Sequence, residues 1–304
     1  MKYFFLAYGE MSLRCLNDLI MMKYPPAFVV THRTYDYENQ KHKFYEKIDN
    51  LCGANGLELI KTDSISEIKE RFTGFDAGIC AGFMEIIKED VFNVPEHGIL
   101  NIHCGKLPEY RGRAPISRAI MDGNDTLYLT IHKIDSGVDS GDILLEKSVI
   151  IDDEDDVNTL YYKCSFNCAN LLIEVFEKLI SGKNDIFKKQ DLAVKEKANR
   201  MITDAEREIV WNESVKTVYN KIRAITHPYP AAFTVFGGKK FLMLRSKPYP
   251  ASDSGEKPGV IADVNEDYII VRCKDGYIMN YDVRDENLEE INYKETFKKG
   301  DRFN

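Results

Sequence analysis

Between residues 2 and 103, short apolar runs alternate with stretches of helical period, and few architectures accept that alternation. The runs fall at 2–7, 27–31, 57–60, 76–80 and 98–103, and helices are expected over 10–22, 39–54 and 64–72 between them. Antiparallel neighbours can be joined by a tight turn, whereas parallel strands need a crossover of a dozen or more residues, usually a helix. The pattern therefore predicts an α/β class with a doubly wound, mostly parallel, Rossmann-like sheet. Further on, Tyr128–Ile134 and Ile143–Ile151 alternate polar with apolar residues across an acidic loop, which predicts a hairpin at the sheet's edge.

Past that hairpin the texture changes. Val157–Leu179 carries apolar residues at helical spacing, with Asp155 and Asp156 favourably placed at its N-terminal end, and Gly182 stops it. The polar stretch 183–208 reads as a linker. One helix is expected over 213–225, followed by short strands with turn signals at Gly237-Gly238, Ser252–Gly259 and Lys274–Gly276. That is the texture of a small β-barrel or sandwich. The expected domains are 1–200 and 201–304.

Several function classes are set aside by composition. With 304 residues, 44% hydrophobic and 30% charged, the chain has ordinary globular make-up and enough apolar material for a core. No apolar run approaches the roughly 18 residues that span a bilayer, so no membrane role is expected. The apolar start Tyr3–Ala7 ends too early for a signal peptide and reads as a buried strand. Seven scattered cysteines indicate reduced thiols in the cytoplasm rather than a disulfide framework. A net charge of −8 speaks against gripping a phosphate backbone, so no nucleic-acid partner is expected. No G-x-G-x-x-G or P-loop pattern occurs.

The chemistry-bearing residues cluster between 101 and 142. Asn101 and His103 stand two apart at the end of the run Gly98–His103, so in a strand both side chains share one face. A loop rich in glycine and proline follows, and then Asp135-Ser-Gly-Val-Asp-Ser-Gly-Asp142. An amide donor, an imidazole and a carboxylate are the groups needed to move an acyl unit onto an amine. Taken singly, each has a plainer reading: His103 a structural histidine, Asn101 a strand cap, and Asp135, Asp139 and Asp142 turn formers. A calcium loop does not fit the spacing, and no pattern supports zinc at Cys104, so no metal is expected. Histidines 32, 42, 97, 132 and 227 form no cluster and take structural or solvated roles by default; Cys164, Cys168, Trp211 and Tyr229 read as packing residues.

These motifs resemble the folate-dependent formyltransferases, the family of the methionyl-tRNA enzymes. The likeness rests on Asn101 and His103, on Leu107-Pro-Glu-Tyr-Arg-Gly112 and on Gly137-Val-Asp-Ser-Gly-Asp142, and extends to Ile209–Trp211, His227–Phe233 and Gly300–Arg302. The resemblance implies an OB-like C-terminal barrel, 10-formyltetrahydrofolate as co-substrate, and Asn101, His103 and Asp139 as the catalytic trio. It places the folate against Phe83, Met84, Glu85, Ile86, Ile87, Asp135 and Val138. Gly105-Lys106 departs from the family's usual Ser-Leu or Pro-Ser.

Two branches of that family compete for the acceptor. The tRNA enzymes insert a basic loop rich in glycine and proline after the second strand. Here Thr31–Lys47 sets Arg33, Lys41, Lys43 and Lys47 against Asp36, Glu38 and Glu46, with neither glycine nor proline. Together with Thr31-His-Arg-Thr34 and Arg111-Gly-Arg-Ala-Pro115, this is more similar to sugar-nucleotide N-formyltransferases, such as the domain acting on UDP-4-amino-4-deoxy-arabinose. The expected partners are a nucleotide sugar and folate, with a homodimer plausible from the resemblance. Lys106, Tyr110, Arg111 and Arg113 are the candidate acceptor contacts; Arg111 reads equally as a loop brace, so Arg113 is favoured for the diphosphate. A methionyl-tRNA acceptor and a non-catalytic folate-binding module remain the alternatives.

Overall fold

A computed structural model describes residues 1–33, 42–83, 85–182, 186–194, 197–252 and 255–304, without the side chains of 42–46. Residues 34–41 of the near-neutral 31–47 segment and Met84 therefore lie outside the described residues. The chain divides into two compact units. One comprises Met1–Pro115, Thr126–Ile150 and Tyr161–Asn199, and the other Ile116–Asp125, Ile151–Leu160 and Arg200–Asn304.

The first half of the chain runs β1 (Tyr3–Ala7), α1 (Gly9–Met21), β2 (Phe28–His32), α2 (His42–Ala54), β3 (Glu58–Thr62), a 3-10 helix (Ile65–Phe72), β4 (Ala77–Ala81), α3 (Glu89–Phe92) and β5 (Ile99–His103). Then follow α4 (Pro115–Met121), β6 (Thr126–Lys133), β7 (Ile143–Ile150) and α5 (Val157–Ile180). In the first unit the sheet order is β3-β2-β1-β4-β5-β6-β7. β1 to β5 run parallel, and β6 and β7 pair antiparallel at one edge, as the alternation predicts. Order reverses between β1 and β4, and ligands of open α/β sheets bind in the crevice at such a switch point. β5 lies beside β4 and delivers His103 to the carboxyl edge of the sheet.

Burial explains why these strands read as unbroken apolar runs: every residue of β1 and β4 is buried. An aromatic stack fills one face. Phe4 lies 4.1 Å from Phe72 and 5.5 Å from Phe28, nearly coplanar with both. Gly78 makes room for it, since a Cβ there would stand 2.5 Å from the Phe4 ring.

Two elements differ from the sequence expectation. Residues 65–72 form a 3-10 rather than an α-helix, and the Glu85 carboxylate caps its start, accepting from Ser64 Oγ at 2.7 Å and Ile65 N at 2.9 Å. α4 opens at Pro115, directly after a loop whose glycines mask the helix signal.

The second unit contains α6 (Asp204–Arg207), α7 (Val215–Ala224), β8 (Ala232–Phe236), β9 (Lys239–Tyr249), β10 (Ile261–Val264), β11 (Ile269–Arg272), β12 (Tyr277–Asp285) and α8 (Tyr293–Thr296). Its strands form an antiparallel sheet in the order β10-β11-β12-β9-β8. The C-terminal residues link its two edges: Ile261 N donates to Asp301 O and Phe303 N to Gly259 O, while Asn304 N donates to Val235 O. Trp211 is buried, stacks on Phe303 at 5.4 Å and donates to Thr234 Oγ1, which accounts for its packing role; Tyr229 instead is 38% exposed. All seven cysteines are buried and free. Among the described residues no helix is long and apolar enough to cross a membrane.

Phe72 is fully buried in the aromatic stack. Phe72→Ala should lower unfolding stability by about 3–5 kcal/mol through lost burial and a residual cavity, measured by urea denaturation.

Candidate active site

The cross-strand register of β5 and β6 assembles one wall of the site. Asn101 faces His132 and His103 faces Thr130. Thr130 Oγ1 donates to Gly105 O at 2.8 Å and anchors the loop leaving β5. His132, 2% exposed, brings Nε2 to 3.1 Å from Asn101 Nδ2, while its Nδ1 lies 2.9 Å from Lys133 O. A carbonyl oxygen only accepts, so Nδ1 carries a proton toward Lys133 O.

Asp139 comes from the acidic loop between β6 and β7. It holds φ +47, a left-handed conformation that costs a non-glycine residue of order 1 kcal/mol and that aspartate tolerates better than most. Gly141 packs so closely that a Cβ would stand 1.9 Å from Lys133 O. Asp135 ties the loop internally, its Oδ1 accepting from Gly137 N and Ser140 Oγ. The Asp139 carboxylate is thereby placed 3.6 Å from His103 Nδ1 through Oδ2, and 3.3 Å from His132 Nε2 through Oδ1. Gly112 N donates to Oδ2 at 2.9 Å, and Asn101 Nδ2 lies 3.5 Å from Oδ1. Burial alone would raise this carboxyl. A hydrogen bond from His132, the charge of either imidazole when protonated and the Gly112 N–H more than offset that and hold it well below the usual carboxylate range.

His103 behaves differently from the protonated donor that a simple formyl-transfer scheme invites. It is buried, and burial lowers its pKa below the ordinary 6.5 despite the opposing pull of Asp139; His132 adds to the lowering. Its Nε2 donates to Tyr110 O at 2.8 Å, so the neutral ring presents the Nδ1 lone pair to Asp139 across 3.6 Å. That gap is too long for a hydrogen bond. It leaves a base and an anion side by side, ready to share an incoming proton. Gly105 leaves room beside the ring: a Cβ there would stand 2.9 Å from His103 Nε2 and 2.8 Å from Pro115.

The other candidates scatter in role. Tyr110 acts on His103 through its backbone carbonyl. Arg111 is buried and its Nε donates to Val138 O at 2.9 Å, which makes it a brace between the two loops. Arg113 is exposed, with its backbone N bound to Asn199 O. Lys106 pairs with Glu109 at 2.7 Å. Phe83 stacks on His32 at 4.2 Å, Glu85 caps the 3-10 helix, and Ile87 packs into the core. Ile86 and Val138 leave 88% and 56% of their surfaces exposed. His132 is the site residue that sequence reasoning missed. The only trace of it was its register opposite Asn101. Among the described residues no group of three or more potential ligands could hold a metal.

Comparison with known proteins assigns the chain to a family. Residues 21–176 match the family described as formyl transferase, and residues 201–300 match the formyl transferase C-terminal domain. A methionyl-tRNA formyltransferase of Caldicellulosiruptor saccharolyticus is 37% identical over 202 residues, covering 66% of this chain and 63% of the relative's length. One from Geobacillus sp. is 31% identical over 276 residues, 89% of this chain and 85% of that protein. An N-formyltransferase from Helicobacter canadensis, solved with folinic acid and dTDP-3-aminofucose, superposes with a TM-score of 0.70 over 92% of this chain and 99% of its own, at 18% identity. That last likeness speaks to the fold.

The lowered His103 pKa has a measurable consequence. Below pH 6.5 the unfolded chain takes up a proton that the folded state refuses, so this histidine's contribution to stability declines on acidification toward its folded pKa. An NMR titration of the His103 ring should give a midpoint below 6.5, and Asp139→Asn should move it lower still, since the carboxylate is what opposes the effect of burial. A midpoint above 6.5 would contradict the assignment. The matches across both segments identify this chain as a member of the formyl transferase family.

Proposed function

We propose that the chain transfers a formyl group from 10-formyltetrahydrofolate to the amino group of a UDP- or dTDP-linked 4-amino-deoxy sugar, in bacterial surface-glycan biosynthesis. In this reading residues 1–200 are the catalytic domain, residues 201–304 the OB-like accessory domain, and the reaction is cytoplasmic. The folate supplies the formyl carbon as an electrophile. The exposed Ile86 and Val138 side chains each offer apolar surface.

The trio divides the chemistry. Attack of the amine places negative charge on the formyl oxygen, and the Asn101 amide, held from behind by His132, donates to that oxygen. The amine must lose a proton as the new N–C bond forms. Neutral His103 accepts it, and the resulting imidazolium is stabilised by Asp139, which stays ionised throughout. Leaving-group departure from the folate nitrogen then returns the proton.

The charge pattern carries the choice of acceptor. The chain has a net charge of −8, the segment 31–47 is near neutral, and acidic and basic residues nearly balance over 201–304. A tRNA acceptor arm needs several phosphate-directed cations and gives steeply salt-dependent binding. A nucleotide sugar presents only a diphosphate, which one exposed arginine beside the catalytic loop could meet, and Arg113 has that position. The specific observation favouring the second reading, a methionyl-tRNA acceptor, is the naming of the 37% and 31% identical relatives.

Formyl transfer to a panel of UDP- and dTDP-amino sugars, set against methionyl-tRNA, decides between them, with a filter-binding salt titration of tRNA alongside. Transfer to methionyl-tRNA with a steep salt slope would overturn the sugar reading. Asn101→Ala should lower kcat by about 10²–10³ with little change in binding. Arg113→Ala should raise the KM for the nucleotide sugar by roughly tenfold, in line with about 1.5–3 kcal/mol for a charged hydrogen bond, and leave the folate KM unchanged.

A further inference from the structure

Gln190 lies on the segment that follows α5, outside the three motifs. Its Nε2 donates to two carbonyls of the acidic loop, Asp139 O at 3.0 Å and Gly141 O at 2.7 Å. Its Oε1 is buried without a hydrogen-bond partner. Two residues earlier, Lys188 exchanges both backbone hydrogen bonds with Ile143, where that loop enters β7. Further along, Asn199 N donates to Arg111 O at 2.7 Å and Asn199 O accepts from Arg113 N at 2.9 Å. One connecting segment therefore grips both loops of the site, and the scheme above assigns it no part.

The acidic loop needs that grip. Asp139 is held left-handed and Gly141 is pressed against Lys133 O, so the loop is strained on one side and hard against backbone on the other. Where the carboxylate stands fixes both the 3.6 Å gap to His103 and the Gly112 N–H bond. We propose that Gln190 is a positioning residue for the transfer reaction: its amide clamps the peptide groups of Asp139 and Gly141 so that the Asp139 carboxylate stays between Gly112 N and the two imidazoles. The inference rests on the formyl-transfer reading above. The residue type fits the task. A primary amide offers two N–H groups on one nitrogen, enough for two carbonyls at once. Glutamate at the same length would set oxygen against oxygen, and methionine would fill the space with no donor.

Gln190→Met and Gln190→Glu, compared with the unaltered protein, test the proposal. Turnover should fall by about tenfold or more, further in Gln190→Glu, while the KM values for folate and acceptor stay within about twofold and the melting temperature holds. The acidic midpoint of the pH–rate profile should move lower, because His103 loses the carboxylate that opposes burial. In a crystal structure of Gln190→Met the Asp139 carboxylate should leave Gly112 N by more than about 1 Å, a displacement large enough to cost turnover. Unchanged turnover in both variants, or an unmoved Asp139, overturns the proposal. So does a loss of turnover that tracks a loss of melting temperature with an unmoved pH midpoint, since that is a purely structural role. If the unaltered protein transfers no formyl group to any acceptor, the reaction reading fails, and the Asp139 position still decides Gln190 by itself.

Discussion

A single half-buried carboxylate organises this molecule's candidate site. Asp139 is taken largely out of water, a move that would cost several kcal/mol for an unpaired ion. It is kept ionised by neighbours drawn from three places: Gly112 N from the loop after β5, His103 from the end of β5, and His132 from the facing β6. Gly112 and His103 are far from Asp139 in sequence, and His132 lies just before the acidic loop, at the end of β6. The hairpin edge of the sheet, the tight acidic loop and the segment after α5 can all be understood as the structure needed to bring them to one carboxylate.

The same arrangement sets the electrostatic character of His103. Burial lowers its proton affinity and Asp139 raises it, and burial wins. A neutral imidazole beside a permanent anion is a proton acceptor with its counter-ion already in place, so charge separation during amine attack requires little reorganisation. The backbone carbonyl of Tyr110 sets the tautomer, and this gives the Leu107–Gly112 loop a role beyond its side chains. Arg111 completes the arrangement by bracing Val138 O from the opposite loop.

Much of the fold was legible in the sequence because its signals are local. The apolar runs of β1, β2, β4 and β5 appear within a residue or two of their predicted positions, and the edge hairpin and the long α5 do too. The Asn101 and His103 pair followed from period two in a strand, and the left-handed turn at Asp139 is consistent with its glycine-flanked motif. Less legible were the 3-10 geometry of 65–72, capped by Glu85 some twenty residues downstream, and the start of α4, hidden behind loop glycines. Of the side chains expected to line the folate, Glu85 and Ile87 are engaged in capping and core packing, because an apolar stretch near a site also has to build the wall that carries it.

By itself the sequence determined the alternation of elements, the family motifs and which residue types stand near the chemistry, since these depend on spacing along the chain. Only the tertiary structure decided the partners. His132 enters the site through a strand register, Gln190 through the path of a connecting segment, and the neutral state of His103 through its burial. Register, path and desolvation are properties of surfaces brought together from distant positions, and no local periodicity encodes them.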